Sequence, residues 1–270
     1  MSATRNVAAS AVALLSGTAL GLFGLLFGTV LAVLVLTVLA IGGVVEVTAS
    51  LVLVVGLVTT QGIGCFCTAL AYSRFRHRAG AALSRFVGRR SWLPTRPFDI
   101  PARVPTLRDL ALVVGAYVAA FLCILVAGIV VSSTGVETAS NTAAQTGMEN
   151  PSLLVWLIPG SILLIGPGEE ILFRGVVQGR FRERFGAPVA IVLASLVFAA
   201  IHFGALSGAT GARLATISIL LLPALVFGTV YELSGNIVVP ALVHGCYNAT
   251  LFGGLYWTTT SATLGLLAVA

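Results

Sequence analysis

The sequence predicts an all-α bundle of seven or eight transmembrane helices. Of its 270 residues, 58% are apolar and only 9% are charged, and the mean hydropathy is +1.05. Water-soluble domains carry about one charged residue in four, and a run of about 18 or more apolar residues is long enough to cross a bilayer. Several such runs occur here, so we expect a multi-pass protein of the cell membrane, with the lipid bilayer as its solvent.

The N-terminal apolar region, residues 7–72, is long enough for two long, tilted spans or for three short ones. Two spans would turn near Gly42 and Gly43 and keep the N-terminus with Arg5 in the cytoplasm. Three spans would break around Gly28 and place Arg5 outside. The positive-inside rule favours two spans, but one arginine has little weight in setting topology, and both alternatives stay open.

The longest polar segment, residues 73–106, divides the chain. Four prolines between positions 94 and 105 interrupt any helix there. We therefore predict an N-terminal membrane region with an Arg/Pro-rich linker, residues 1–106, followed by a membrane domain, residues 107–270.

Apolar runs and chain breaks predict the spans of the second domain. After a span at 107–131 comes a Thr-rich outer loop that ends at Pro151, and the next helix begins near Ser152. A break at residues 186–188 starts a helix at 189–203. Two further spans are expected at 214–233, with a kink at Pro223, and at 236–257.

The basic residues are distributed unevenly along the chain. All fifteen are arginine; nine lie between positions 74 and 108, four between 174 and 184, and none between 132 and 152. The positive-inside rule places the arginine-rich loops 73–108 and 174–186 in the cytoplasm and the third segment outside. No basic groove with interleaved aromatic residues occurs, so nucleic acid is not an expected partner.

Adjacent glutamates lie inside one predicted span. A carboxylate within the membrane is costly and usually marks a functional site. Glu170 and Arg174 are spaced i,i+4 in the favourable orientation for an ion pair, which leaves Glu169 about 100° around the helix and able to hold a water. By themselves these residues are better explained as an ion network that only joins two helices.

Two histidines lie at the depth of these glutamates. If the chain forms a helical hairpin at Gly186, His202 is level with the glutamates, because residues equally far from a tight turn face each other. On the last span, His244 and Asn248 are one turn apart. The third histidine, His77, lies in the arginine-rich linker, where we expect it to be solvated.

Three ordered motifs resemble those of the CPBP family, which contains the type II CAAX prenyl endopeptidases and bacteriocin-processing or immunity proteins. The resemblance covers approximately residues 153–257. The motifs read Glu169-Glu170-x-x-x-Arg174, then Phe198-x-x-x-His202, then Asn236-x-x-x-Pro240-x-x-x-His244-x-x-x-Asn248.

The resemblance implies an intramembrane endopeptidase in which Glu169, as general base, activates water against a peptide carbonyl. His202 would help to hold the water or a metal. His244 and Asn248 would stabilise the oxyanion or complete the coordination. The substrate would be a membrane-embedded or lipidated peptide, for which the family suggests a prenylated CAAX-type C-terminus or a bacteriocin-like peptide.

The remaining motif residues have supporting roles in this interpretation. Glu170 would keep its pair with Arg174 and orient the site, and Phe198 would pack against the ring of His202. We also expect small residues such as Gly160, Gly166, Gly168 and Gly175 to permit close helix approach. The Gly166-Pro167-Gly168 sequence is expected to kink or open the helix just before the glutamates.

A divalent metal such as zinc is a further expectation. Glu169, His202 and His244 form a donor set found in three-ligand catalytic zinc sites. They come from three helices, however, without the local His-Glu-x-x-His spacing that argues for zinc directly. A metal-free mechanism uses the same residues.

Two other classes of function are compatible with the same residues. In a proton-coupled transporter or channel, the intramembrane glutamates and histidines would relay protons, although no internal repeat of the kind common in transporters is found. In a non-catalytic immunity or binding protein, the fold would act through its surface, although the complete set of motif residues argues against a degenerate site.

Overall fold

The protein is a bundle of long helices with almost no extended chain. The computed structural model describes residues 3–43, 45–88, 93–94 and 96–267, and only the backbone of residues 3–6, 87 and 262–267. The helices are α1 Ala3–Ile41, α2 Ala49–Phe86, α3 Leu107–Thr134, α4 Thr142–Glu149, α5 Pro151–Arg182, α6 Ala187–Ile201, α7 Thr210–Ser234 and α8 Val238–Leu267.

Six helices in the described residues are long and apolar enough to cross a membrane, namely α1, α2, α3, α5, α6 and α7. The 30-residue α8 packs against α3, α5 and α7. The predicted all-α membrane bundle is therefore confirmed, and the predicted seven or eight spans are close to this number.

The N-terminal region contains two long helices, not three. Gly28, the possible break, lies within α1, and the turn falls at Gly42 and Gly43, where Gly43 has a φ of +62°. Gly28 faces α2 so closely that a Cβ there would overlap the backbone of Thr60. The side chain of Arg5, used in the topology argument, lies outside the described residues.

The polar segment predicted as a linker is partly helical. Helix α2 extends into this segment, and its helical backbone continues to Val87. No proline interrupts it, since the first proline after position 72 is Pro94. Beyond the helix, Arg103 and Asn236 join the end of the linker to the start of α8. The amide of Asn236 bonds both the backbone N–H of Arg103, at 3.1 Å, and its carbonyl oxygen, at 3.0 Å.

The arginine-rich segments meet at one end of the bundle, the arginine end. Arg76 pairs with Glu183, and Arg182 with Glu232 at 3.1 Å. Arg103 donates to the carbonyl oxygen of Ser234 at 2.9 Å. The ends of α2, α5 and α7 and the segment before α3 are therefore at the same level.

The opposite end is formed by the loops that precede α2, α5 and α7. Two short strands, β1 Ser140–Asn141 and β2 Leu206–Ser207, pair antiparallel there. Asn150 donates to Ser50 at 3.3 Å, and Thr142 donates to the carbonyl oxygen of Ala205 at 3.0 Å. The loop between α3 and α5, predicted as irregular, thus contains a strand and the short helix α4.

Candidate active site

Helix α5 carries the two glutamates between two stretches of wider π-helical turns. The π segments are Ser161–Ile165 and Ile171–Gln178, and the α-helical segment Gly166–Glu170 lies between them. Such π segments are rare and occur often at functional sites. The predicted break near Pro167 is therefore a change of helical pitch rather than an open turn.

Glycines allow other helices to approach the glutamates closely. A Cβ at Gly166 would lie 2.5 Å from the carbonyl oxygen of Ala241 on α8. A Cβ at Gly168 would overlap the carbonyl oxygen of Gln61 on α2. The backbones of α2, α5 and α8 thus meet at the level of Glu169, as the sequence predicted for these small residues.

Glu170 and Arg174 form an ion pair that is completely buried. Arg174 Nε donates to Glu170 Oε2 at 3.0 Å, and both side chains have 0% exposure. Arg174 Nη1 also lies 3.3 Å from the hydroxyl of Ser195, and the guanidinium carbon lies 5.1 Å from the centroid of the Phe198 ring. Removing one partner would leave the other charge buried and unpaired, which is strongly destabilising.

The same carboxylate fixes the ring of His244. Glu170 Oε1 lies 2.8 Å from His244 Nδ1. Because a carboxylate accepts, Nδ1 carries the proton and donates it, and in the neutral ring Nε2 then has the lone pair. Asn248 Nδ2 lies 3.2 Å from this Nε2, and the ring stacks on Phe227 with a centroid separation of 4.8 Å.

Glu169 has one free oxygen. Its Oε1 accepts a hydrogen bond from Gln61 Nε2 at 3.3 Å, whereas Oε2 is buried and has no hydrogen-bond partner among the described residues. Oε2 lies 4.0 Å from His244 Nε2. This distance is too long for a hydrogen bond, but one water can bridge it.

His202 lies at the end of α6 and not within it. The helix ends at Ile201, and His202 begins a short 3₁₀ turn. Its Nδ1 donates to the carbonyl oxygen of Phe198 at 2.7 Å, and the two rings are 4.7 Å apart between centroids. As in His244, the neutral ring then has its lone pair on Nε2.

A cavity of about 670 Å³ connects these groups. Glu169, His202, His244 and Asn248 all line it, together with Gln61. Its remaining walls are mostly apolar side chains of α2, α5, α7 and α8. The predicted convergence of these four side chains is thus present, on α5, at the end of α6 and on α8. Glu170 and Arg174 are not among the described residues that line the cavity.

Asn236, from the third motif, is not part of this cavity. It precedes α8 and holds the linker at Arg103, as described above, so the four-residue spacing from Asn236 to Asn248 does not define one helix face. A hydrogen bond to Glu169 comes from outside the motifs, through Gln61. Gln61 is the only side-chain amide between Val7 and Tyr72, a signal that the sequence interpretation missed.

Glu169, His202 and His244 are of the residue types that bind divalent metals, but the described residues are not grouped as in a metal site. Both histidines present Nε2 with Nδ1–H held by a carboxylate or a carbonyl, as metal-binding histidines do, and Glu169 Oε2 is unpartnered. Within the described residues, however, no three His, Cys, Asp or Glu side chains are grouped so that they could hold a metal ion. Zinc therefore stays a prediction.

Fold and site together define a multi-pass membrane protein with a carboxylate–histidine cavity inside its helix bundle. Residues 151–250 match the family model described as type II CAAX prenyl endopeptidase Rce1-like. No curated protein and no solved structure matches the chain.

The match supports the resemblance to the CPBP family that the three motifs indicated. It covers every motif residue from Glu169 to Asn248. At the level of the family it supports a membrane protease of CAAX type, and hence a hydrolase. It adds nothing about the residues before 151, which include Gln61.

Proposed function

We propose that the protein is an intramembrane endopeptidase that hydrolyses a peptide bond of a membrane-associated substrate. The observation that carries this proposal is Glu169 Oε2, which accepts no hydrogen bond from any described residue and faces His244 Nε2 across a 4.0 Å gap in a mostly apolar cavity. A buried carboxylate oxygen without a donor is unfavourable unless water or substrate supplies one. Peptide hydrolysis needs such a base beside a water.

In the proposed reaction, a water in this gap donates one O–H to Glu169 Oε2 and the other to His244 Nε2. Glu169 takes the first proton as the water oxygen attacks the peptide carbonyl carbon. Asn248, displaced from Nε2 by the water, donates an N–H to the oxyanion. The C–N bond then breaks as the Glu169 proton moves to the amine nitrogen, which restores the carboxylate.

The other motif residues position these groups. Glu170 holds the tautomer and orientation of His244, and Arg174 neutralises Glu170 so that its negative charge is tolerated in the bundle. His202 lines the cavity with Nε2 as an acceptor, and its ring packs against Phe198.

If zinc is bound, Glu169, His202 and His244 would hold it, and it would polarise the attacking water. Elemental analysis of the purified protein separates the two versions of the mechanism. One zinc per chain that is lost in His202→Ala would establish the metal, and active protein free of zinc would assign water activation to Glu169.

The direct test is cleavage of a quenched fluorescent peptide by the full chain purified in detergent. The peptide ends in a CAAX-type sequence and is supplied with and without a farnesyl group. Glu169→Gln keeps the shape of the side chain but removes the base, and we expect the cleavage rate to fall by about 10²- to 10⁴-fold.

The matched control is Glu137→Gln, the same substitution at an exposed residue of the loop before α4. At a saturating concentration of this peptide it should cleave at the wild-type rate. Equal rates for Glu169→Gln and Glu137→Gln would reject the proposed base. Proton flux in sealed vesicles that depends on Glu169, without peptide cleavage, would instead support a transporter.

A further inference from the structure

The described lining of the site cavity extends from the glutamates towards one end of the bundle. Its lining runs from Glu169 to Ala49 at the start of α2 and to residues 141–146 in β1 and α4. These residues belong to the end opposite the arginine end. Among the described arginines of segments 74–108 and 174–184, none lines the cavity.

A closed core separates the site from the arginine end. Leu172, Phe173, Val176 and Val177 follow the glutamates on α5, and each has 0% exposure. They pack with Cys65 of α2 and with the α6 cluster around Ala194. A second cavity, of about 680 Å³, lies at the arginine end, but it shares no lining residue with the site cavity.

The charges of the two ends differ in sign. The open end carries three exposed acids in its loops, Glu46, Glu137 and Glu149, and one arginine, Arg213, near the start of α7. The other end carries the arginine-rich segments. By the positive-inside rule, the arginine end is cytoplasmic and the open end is the outer face.

We propose that the substrate reaches the site from the outer face of the membrane, as an exported peptide with an apolar segment and basic residues. The apolar cavity walls accept the apolar segment, and the acidic loops attract the basic residues. A peptide presented in the cytoplasm would meet the closed core. This inference rests on the proposed endopeptidase function and names the substrate class and side of access of that site.

Cleavage in oriented membrane vesicles tests the side of access. A water-soluble, membrane-impermeant fluorogenic peptide with an apolar segment and basic residues is added to right-side-out and to inside-out vesicles. We expect cleavage in right-side-out vesicles only, at least tenfold above the inside-out rate, and equal rates after detergent opens both. Cleavage confined to inside-out vesicles would overturn the proposal.

A second experiment varies the charge of the peptide. Replacing its basic residues with acidic ones should raise KM several-fold, and neutralising Glu46 and Glu149 with glutamine should reduce that difference. A preference for the acidic peptide would overturn the proposed substrate class. Neither residue touches the site, so kcat for the basic peptide should change little.

Thiol labelling tests the open end without relying on activity. In a variant with the four cysteines replaced by alanine, Ala143→Cys lines the cavity near its opening, and Ala82→Cys is exposed at the arginine end. An impermeant maleimide added to intact cells should label Ala143→Cys and spare Ala82→Cys until the membrane is opened.

The reverse labelling pattern would overturn the outer-face proposal even if cleavage is observed in detergent. Conversely, the expected labelling without any cleavage in detergent would support the outer opening and reject the endopeptidase function. The two failures are therefore distinguishable.

Discussion

Helices α1 and α5 are both long enough to span a membrane, yet they do different things. One face of α1 exposes Phe23, Leu26 and Leu34, each more than half exposed, as expected for a lipid contact. Helix α5 buries two carboxylates and two arginines and contains two π-helical segments. The comparison teaches that apolar composition makes a span, whereas a site also needs paired charges and close backbone contacts.

The largest expected effect is the loss of the buried charge pair. Arg174→Met leaves Glu170 buried without its cation, and we expect the free energy of unfolding to fall by about 3–5 kcal/mol. Unfolding in mixed micelles, followed by circular dichroism, measures it. Arg182→Met, at a partly exposed pair with Glu232, should cost about 1 kcal/mol or less. Equal losses would show that burial of the pair is not what distinguishes α5.

A smaller effect is expected from the close backbone contact on α5. Gly168→Ala would force α2 and α5 apart, and we expect it to lower the free energy of unfolding by about 1–3 kcal/mol. In Gly115→Ala on α3, the new Cβ meets no atom within 4 Å. That variant should be neutral or more stable by up to about 1 kcal/mol. A stable Gly168→Ala would remove the argument for glycine at this contact.

Sequence pattern predicted most of the fold for identifiable reasons. Apolar runs located α3, α5 and α7, and the turn at Gly42-Gly43 was one of the two alternatives left open for the N-terminal region. The linker was predicted from the polar composition of residues 73–106 and from the prolines at 94–105, and these features did not reveal that the helix continues through residues 73–87. The pattern also missed α4 and the β1–β2 pair, which short polar segments do not reveal.

The site was predicted in part, since the intramembrane polar residues that form it are few and regularly spaced. The bond from Glu170 to His244 does not follow from spacing, because it depends on how α5 and α8 rotate about their axes. The position of His202 at a helix end also depends on packing. Gln61 belongs to another helix, so only the folded chain brings it to Glu169.

Activity should respond to Gln61, whose side chain donates a hydrogen bond from α2 to Glu169. Gln61→Leu removes a hydrogen bond to a carboxylate, and we expect cleavage of the test peptide to slow by about tenfold or more. Gln145→Leu is the matched control, since its side chain makes no hydrogen bond with a described residue. Wild-type cleavage by Gln61→Leu would confine the site to the segment after residue 151.

The smallest effect is expected on the lipid-facing side of α1. Leu26→Val changes a side chain that is 63% exposed, and both stability and cleavage should stay within about 0.5 kcal/mol of wild type. The same unfolding and peptide assays measure it. A larger loss would mean that this face is covered by a partner.

The central claim is that Glu169 and His244 act on one water. A double-mutant cycle of Glu169→Gln and His244→Ala, read as the rate of peptide cleavage, tests it most directly. Residues that act as a unit are strongly non-additive, so the double variant should be about as slow as the slower single variant. Two losses that multiply would show that the two side chains work independently, and the shared water would be contradicted.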